Sequence, residues 1–580
     1  MSLGSIVRAP EVIVIGAGTF GAVLASLLDR PPNGLRVLLL ESGFLERTEH
    51  IQNPPALDMT VPPPFLKPSG AEDTSNGGGW WRLPWCSDSP SHGLAYCVGG
   101  RSLFWGASCI WPTLDRDNTP HPWPTQVAQE LNTRYLPAAA ELLGLTQLWP
   151  HFTGQLNTLL RGRLLAAMST HHLSGVETLD RHPEHPAAQA TRQVNQIRRV
   201  RRAMDSNANH LALRLHLPMA IEVRGDTDDP QLLRFSSAAV LAEQLRDATG
   251  NLDLVPGCHV IRLWTKNGRV TAIETTRGLI AVPVRTLVVL AAGTIESTRL
   301  VLDATAGNPS AALVGRGLTT HLRSNLTVRL SLSAEGCKCP GGSGAAALQL
   351  RGIRREPRRA DIRFHHQITA YGVGSLPEEE AKRLWINTPR TDVESLDHAL
   401  RTNPRDLVVT VASAAEMAGD SENSVTLLDE HDEFGARRAN VRLAPSAVDM
   451  RTWDALDDSA DATVAVLASG HPYEVLRAGR FTATGGSTTT GPEERREPLG
   501  CGHHEMSTLR MGQDPRDSVT DSNGRIRALS NLYIVGPAIF PALDSAGPVL
   551  PGIALTLRLA DHLRHAVSRG GKSHVRQANL

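Results

Sequence analysis

Gly16, Gly18 and Gly21 stand at the spacing GxGxxG, and the carboxylate of Glu41 follows twenty residues after the last of them. Residues of these types at this spacing can hold the pyrophosphate and one ribose of a dinucleotide. Gly16 permits a tight turn, Gly18 lets the backbone approach a pyrophosphate, and Gly21 lets a helix pack close to a strand. The first helical turn, with Thr19 and Phe20, aims unpaired N–H groups and the positive end of a dipole at the phosphates. Glu41, with Ser42 after it, suits the ribose: its carboxylate accepts hydroxyl hydrogen bonds and repels a 2′-phosphate. Three elements must position these residues. Val12 to Ile15 reads as a buried parallel strand, Ala22 to Leu28 as a helix, and Val37 to Leu40 as a second strand that ends at the acid.

Five more segments follow the same logic. The run Val98-Gly99-Gly100-Arg101-Ser102-Leu103-Phe104-Trp105-Gly106 is a second glycine loop. The run LVVLAAG, ending at Ala292-Gly293, is an apolar strand with a small-residue turn and a helix after it. The run HEMSTLRMG spans His504 to Gly512. It is followed by SVTDSNGRIRALSNLYIVGPAIFP, which contains Gly536-Pro537, and by SAGPVLPGIALTLRLADHL, which contains Pro548-Val549. In this order and spacing the chain resembles the glucose–methanol–choline (GMC) family of FAD oxidoreductases. The match touches both ends and the middle of the chain and covers the intervening region poorly.

The resemblance implies FAD as cofactor. Gly99, Gly100, Ser102, Trp105 and Gly106 then belong to the flavin loop, in a form similar to that of pyranose oxidases, which carry tryptophan where Trp105 stands. Val260 corresponds to a residue whose backbone bonds the adenine. Ala292, Gly293, Gly536, Pro537, Pro548 and Val549 complete the implied cofactor set. Members with a covalent flavin carry histidine in the place of Phe104, and phenylalanine cannot form that bond, so non-covalent FAD is expected.

HEMSTLRMG resembles the family's HxxGTxRMG, whose histidine faces the flavin N5. The matching residue is His504, and an imidazole with a pKa of about 6.5 suits a general base near neutral pH. His503 precedes it. On an extended segment adjacent side chains point to opposite faces, so His503 is expected behind the site or at its margin. No third ligand cluster accompanies HHE, so no metal is expected. The family carries an Asn-Pro or His-Pro pair beyond the catalytic histidine. Here Gly547-Pro548 stands there, and glycine supplies no side chain; Asp544 or Ser545 is expected to substitute at the substrate, or a wider pocket to open. The amides around Pro548 to Leu550 still start a helix aimed at the cofactor.

The implied function is FAD-dependent oxidation of an alcohol (a sugar-like, aminoglycoside or other natural-product hydroxyl) by hydride transfer to the flavin, with His504 as base. Gly547 keeps a second reading open, a lyase, decarboxylase or other non-standard reaction on the same fold. The electron acceptor, oxygen or another, is not set by any motif.

Composition bounds the rest. The chain has 580 residues, a formal net charge of zero and 41% hydrophobic residues, enough for large cores and without a nucleic-acid footprint. No run approaches the roughly 20 apolar residues of a membrane span. Seven scattered cysteines and no signal-peptide layout predict a reducing cytoplasm. The predicted fold class is α/β with an α+β second domain. A Rossmann-type FAD-binding domain is assembled from residues 1–125 (with a lid-like loop at 52–90), 231–323 and 496–580. The substrate domain comprises a helical segment at 126–230 and an antiparallel sheet flanked by helices at 324–495. Asn267-Gly268 predicts a two-residue hairpin turn.

Overall fold

The computed structural model describes residues 9–53 (except 33 and 52), 81–114 (except 92), 121–145, 155–169, 177–178, 215–224 (except 216), 231–331 (except 247–249), 344–354, 362–372, 377, 406–478 (except 420–421), 480–483 and 492–575. Two sheets position the site. The first is parallel and five-stranded, in the spatial order Leu532–Ile534, Leu287–Leu290, Val12–Ile15, Val37–Leu40, Leu252–Val255. Val12 sits opposite both Leu287 and Val37, and Val37 opposite Leu252. All four residues of Val12–Ile15 and of Val37–Leu40 are buried. That is why these strands read as unbroken apolar runs: both faces are covered. One cover is the helix Thr19–Asp29, which also packs on the helices Ser237–Arg246 and Val549–Val575.

Beside this sheet runs the meander Val260–Lys266, Arg269–Thr275, Gly278–Ala281. Its first turn has Asn267 at φ +52° and Gly268 at φ +66°, the two positive angles that a two-residue hairpin demands.

The second sheet is antiparallel around His321–Ser331, Asp406–Glu416, Ile362–Gly372 and Gly344–Arg354. Tyr473–Arg477 and Arg480–Ala483 extend one edge and Glu177–Thr178 the other. Its strands alternate. Leu326, Val328, Ile368, Val409 and Val411 are buried on one face, in a core shared with the helices Gln155–Ser169 and Ala447–Ala468. The latter helix is fixed at its start by a capping box between Ser446 and Asp449. The intervening residues, including Arg323, His365 and Gln367, face the opposite way and line the cavity described below.

Two expectations change. Within residues 324–495, expected to carry one antiparallel sheet, Ser424–His431 and Arg437–Arg442 stand apart: they pair with each other, and Arg437–Arg442 pairs with Trp85–Ser87. Within residues 126–230, expected as a helical segment, Gln155–Ser169 is a helix, whereas Glu177–Thr178 pairs as a strand with Gly352 and Ile353. Residues 54–80 of the lid-like loop lie outside the described residues. Among the described residues of the chain, no helix is long and apolar enough to cross a membrane.

Candidate cofactor and substrate site

A single cavity joins the two sheets. It opens at the C-terminal ends of the parallel strands and is closed by the polar face of the antiparallel sheet. Gly16, Gly18, Thr19, Phe20, Glu41 and Ser42 line it from the first βαβ unit. Gly100, Ser102, Trp105 and Gly106 line it from the second glycine loop. Val260, Ala292, Gly293, Pro537, Pro548 and Val549 close the cofactor side. Gly21, Gly99 and Gly536 sit behind this wall and shape it.

The glycines fit a bound dinucleotide. A Cβ on Gly18 would meet nothing within 4 Å, so that backbone borders open space. A Cβ on Gly21 would lie 1.9 Å from the Gly16 carbonyl oxygen, so the close packing of helix and strand excludes any side chain. Gly100, at φ +50°, brings the second loop against the first: its Cβ would stand 3.0 Å from the Gly18 Cα. Gly99 N–H donates to the Ala17 carbonyl at 2.8 Å and ties the two loops together. Ser102 braces them, its Oγ 2.7 Å from the Gly99 carbonyl and 2.9 Å from Ser237 Oγ. Phe20 fills the gap left by Gly536, where a Cβ would come within 3.0 Å of its ring.

Glu41 accepts the Ala17 N–H at 2.7 Å through one carboxylate oxygen and the Gly43 N–H at 2.9 Å through the other. Burial raises its pKa to about 7 against these bonds, which pull it down. Next to it, Ser42 Oγ meets His259 Nδ1 at 2.9 Å, and His259 stacks on Phe434 with ring centroids 4.3 Å apart. The Val260 carbonyl accepts from Arg299 at 3.2 Å. Trp105 donates its indole N–H to the Phe235 carbonyl at 2.9 Å, so one edge is anchored while the residue lines the cavity. Phe104 lies outside the cavity wall, its ring centroid 5.2 Å from that of Trp81.

His503 and His504 both line the cavity. Sequence reasoning put them on opposite faces, and the reason for the difference is local. His503 has φ +54°, so this stretch is not extended and its side chains do not alternate. His503 packs against Trp81 with centroids 5.5 Å apart. His504 Nδ1 lies 2.7 Å from His321 Nδ1, and His321 Nε2 lies 2.8 Å from the Asp544 carbonyl oxygen. Enclosure by protein pushes His504 well below 6.5, with His321, Arg323, His503 and Arg101 adding to the effect. The segment is clamped from the flavin loop by Arg101, which pairs with both oxygens of Glu505 at 2.8 and 3.2 Å and with the His503 carbonyl at 3.3 Å.

Asp544 is not at the cavity. Its carboxylate is fully buried, accepting the amides of Thr113 at 2.9 Å and Ala546 at 2.8 Å and pairing with Arg351 at 3.2 Å. It shapes the loop that presents Ser545 and Gly547, both of which line the cavity. A Cβ on Gly547 would lie 3.8 Å from His504 Cε1 and 4.0 Å from the Ser108 carbonyl, ordinary contact distances, and its φ lies outside the left-handed region. The far wall was not anticipated from the sequence. Gln367 donates to Ser108 Oγ at 2.8 Å and stands 3.3 Å from His365 Nε2. Arg323 reaches the cavity from the same sheet face and pairs with Glu497 at 3.3 Å. The available signal was the alternation of polar and apolar residues in HLRSNL and RFHHQI.

Residues 419–556 match the family model described as GMC oxidoreductase, and this span contains His503, His504 and Gly547. Among solved structures, the chain is similar in fold to pyridoxine 4-oxidase from Mesorbium loti, with a TM-score of 0.53, 16% identity, and coverage of 96% of this chain and 99% of that one. No curated protein matches the sequence. The class of protein thereby defined is an oxidoreductase. Over residues 419–556 the family model and the sequence motifs point to the same likeness, to GMC oxidoreductases.

Proposed function

We propose that this chain oxidises an alcohol with non-covalently bound FAD, and that His504 removes the hydroxyl proton. The observation that carries the reading is the placement of the His504 imidazole in the wall of one cavity whose other end holds Glu41 and Gly18. Gly18, Gly100 and the start of the helix at Thr19 would hold the pyrophosphate. Glu41 would hold the ribose, and Trp105, Pro548 and Val549 would border the flavin. When bound, FAD supplies a hydride acceptor. The residues supply the rest. The His504 ring accepts the proton, and the helix beginning at Val549, which lines the cavity, opens its positive end toward the site.

His365, Gln367, Ser108 and Arg323 support a substrate with several hydroxyls. The charge of Arg323 favours a neutral or anionic polyol, such as a sugar-like ring, over a cationic aminoglycoside. Screening hydroxyl compounds for anaerobic bleaching of the flavin band tests the proposal. Product formation without bleaching would instead select the lyase or decarboxylase reading that the glycine at 547 keeps open.

Non-covalent attachment is tested by acid precipitation. Phe104 has no nucleophilic atom, and the loop from Gly99 to Gly106 contains no histidine or cysteine. The expected result is a yellow supernatant over a colourless pellet; flavin retained in the pellet would contradict it.

Gly547→Asn should fold, because the new Cβ has room and the backbone φ suits any residue. The amide would occupy cavity space beside His504. KM for the native, bulky substrate should rise, with small alcohols less affected. A well-folded variant that turns over the native substrate as well as wild type would show that the glycine was not selected for room.

A further inference from the structure

We infer that His321 is a positioning residue that fixes the tautomer of His504, leaving Nε2 as its unprotonated nitrogen. The inference rests on the reading of His504 as the base. The Asp544 carbonyl can only accept. His321 Nε2 stands 2.8 Å away and must donate to it. A neutral imidazole carries one N–H, so His321 Nδ1 is left as an acceptor. It faces His504 Nδ1 at 2.7 Å, which must therefore be the donor. The proton of a neutral His504 is then on Nδ1, and the lone pair is on Nε2. Cε1, which joins the two ring nitrogens, lies 3.8 Å from the Cβ position of Gly547, so the imidazole edge borders the cavity wall.

The chain of donors requires a neutral His321, and its surroundings provide one. The ring is buried among His504, His365, Arg323 and the Asp544–Arg351 pair. Burial is the largest cause that lowers it to about 4; Arg323 pushes the same way, while Asp544 opposes. His504 is faced by His321, Arg323, His503 and Arg101, all of which disfavour its cationic form. Once His504 has taken a proton at Nε2, its Nδ1–H bond to His321 becomes charge-assisted and stronger. A carboxylate in the place of His321 would hold the imidazolium more tightly and raise the pKa of the base. A neutral imidazole orients the ring and leaves it weakly basic.

The test is nuclear magnetic resonance of the FAD-loaded full chain with ring-15N histidine, the His504 signals being identified by their loss in His504→Gln. The expected spectrum has His504 protonated on Nδ1 and bare on Nε2, and the ring stays neutral as pH falls through 6.5 to 5. A His504 protonated on Nε2 at neutral pH would overturn the inference. His321→Leu removes the acceptor and should move the proton to Nε2. His321→Asn places an amide oxygen where Nδ1 stood and should keep it on Nδ1. His321→Asp should shift the His504 titration upward. An unchanged tautomer in a folded His321→Leu protein would also refute it; if that variant fails to fold, the wild-type spectrum and the asparagine variant decide. No substrate is needed, so this outcome is separate from whether any alcohol bleaches the flavin.

Discussion

His504→Ala is expected to retain FAD and to slow flavin reduction by a bound alcohol roughly 10²- to 10⁴-fold, the usual contribution of a positioned general base. Its described partner is His321, and nothing in its hydrogen bonding supports the adenosine end of the cavity. Cofactor content should therefore stay close to wild type while turnover falls. His503→Ala should cost much less. His503 lines the same cavity, but its described contacts are a ring packed on Trp81 and a carbonyl held by Arg101. The pH dependence separates the two as well. The base acts when unprotonated, and His504 lies well below 6.5 because of burial and its cationic and imidazole neighbours. Reduction should stay constant as pH falls through 6.5 and decline only at lower pH. Rates that rank the two variants the other way would reassign the base to His503.

Glu41→Ala should lose FAD. The carboxylate sits where the strand Val37–Leu40 ends and is held by two backbone amides. A hydrogen bond to an ionised group contributes about 1.5–3 kcal/mol, so each ribose bond lost should raise the FAD Kd roughly 10- to 150-fold. The substitution also leaves the Ala17 and Gly43 amides without their acceptor, so a melting curve must accompany the measurement. A pH effect follows from the same residue. Without cofactor, Glu41 has a pKa of about 7, raised chiefly by burial from 4.5. Its folded-state value lies above its unfolded one, so its contribution to apoprotein stability is full below about 4.5 and is lost as pH rises through 7. Ribose hydroxyls donate to the ionised form. FAD affinity should therefore increase with pH between about 5 and 7 in the wild type and be flatter in Glu41→Ala. Equal FAD affinity in the two proteins across this range would place the ribose elsewhere.

The first strand–turn–helix–strand unit was legible because its demands are local. A glycine at each turn, a buried strand before it and an acid after the next strand are all written within thirty residues or so of each other. The substrate end was not. His321, Arg323, His365 and Gln367 come from strands joined through hydrogen-bond register, and only that register brings His365 opposite Ala414 and Ala414 opposite Arg323. No spacing in the sequence encodes it. The same holds for Arg101 and Glu505, 404 residues apart and paired through both carboxylate oxygens. Asp544 misled for a different reason. An acid near the missing side chain suggested substrate contact, yet its carboxylate satisfies two amides and an arginine in the core. His503 was placed by a rule for extended chains, and its positive φ removes the premise.

The most direct measurement mixes the FAD-loaded protein anaerobically with the best alcohol from the screen and follows the flavin band together with the carbonyl product. The account predicts bleaching, one product molecule formed per flavin reduced, and loss of both in His504→Ala. Product formed while the band remains unchanged, or bleaching that His504→Ala leaves at the wild-type rate, would contradict it.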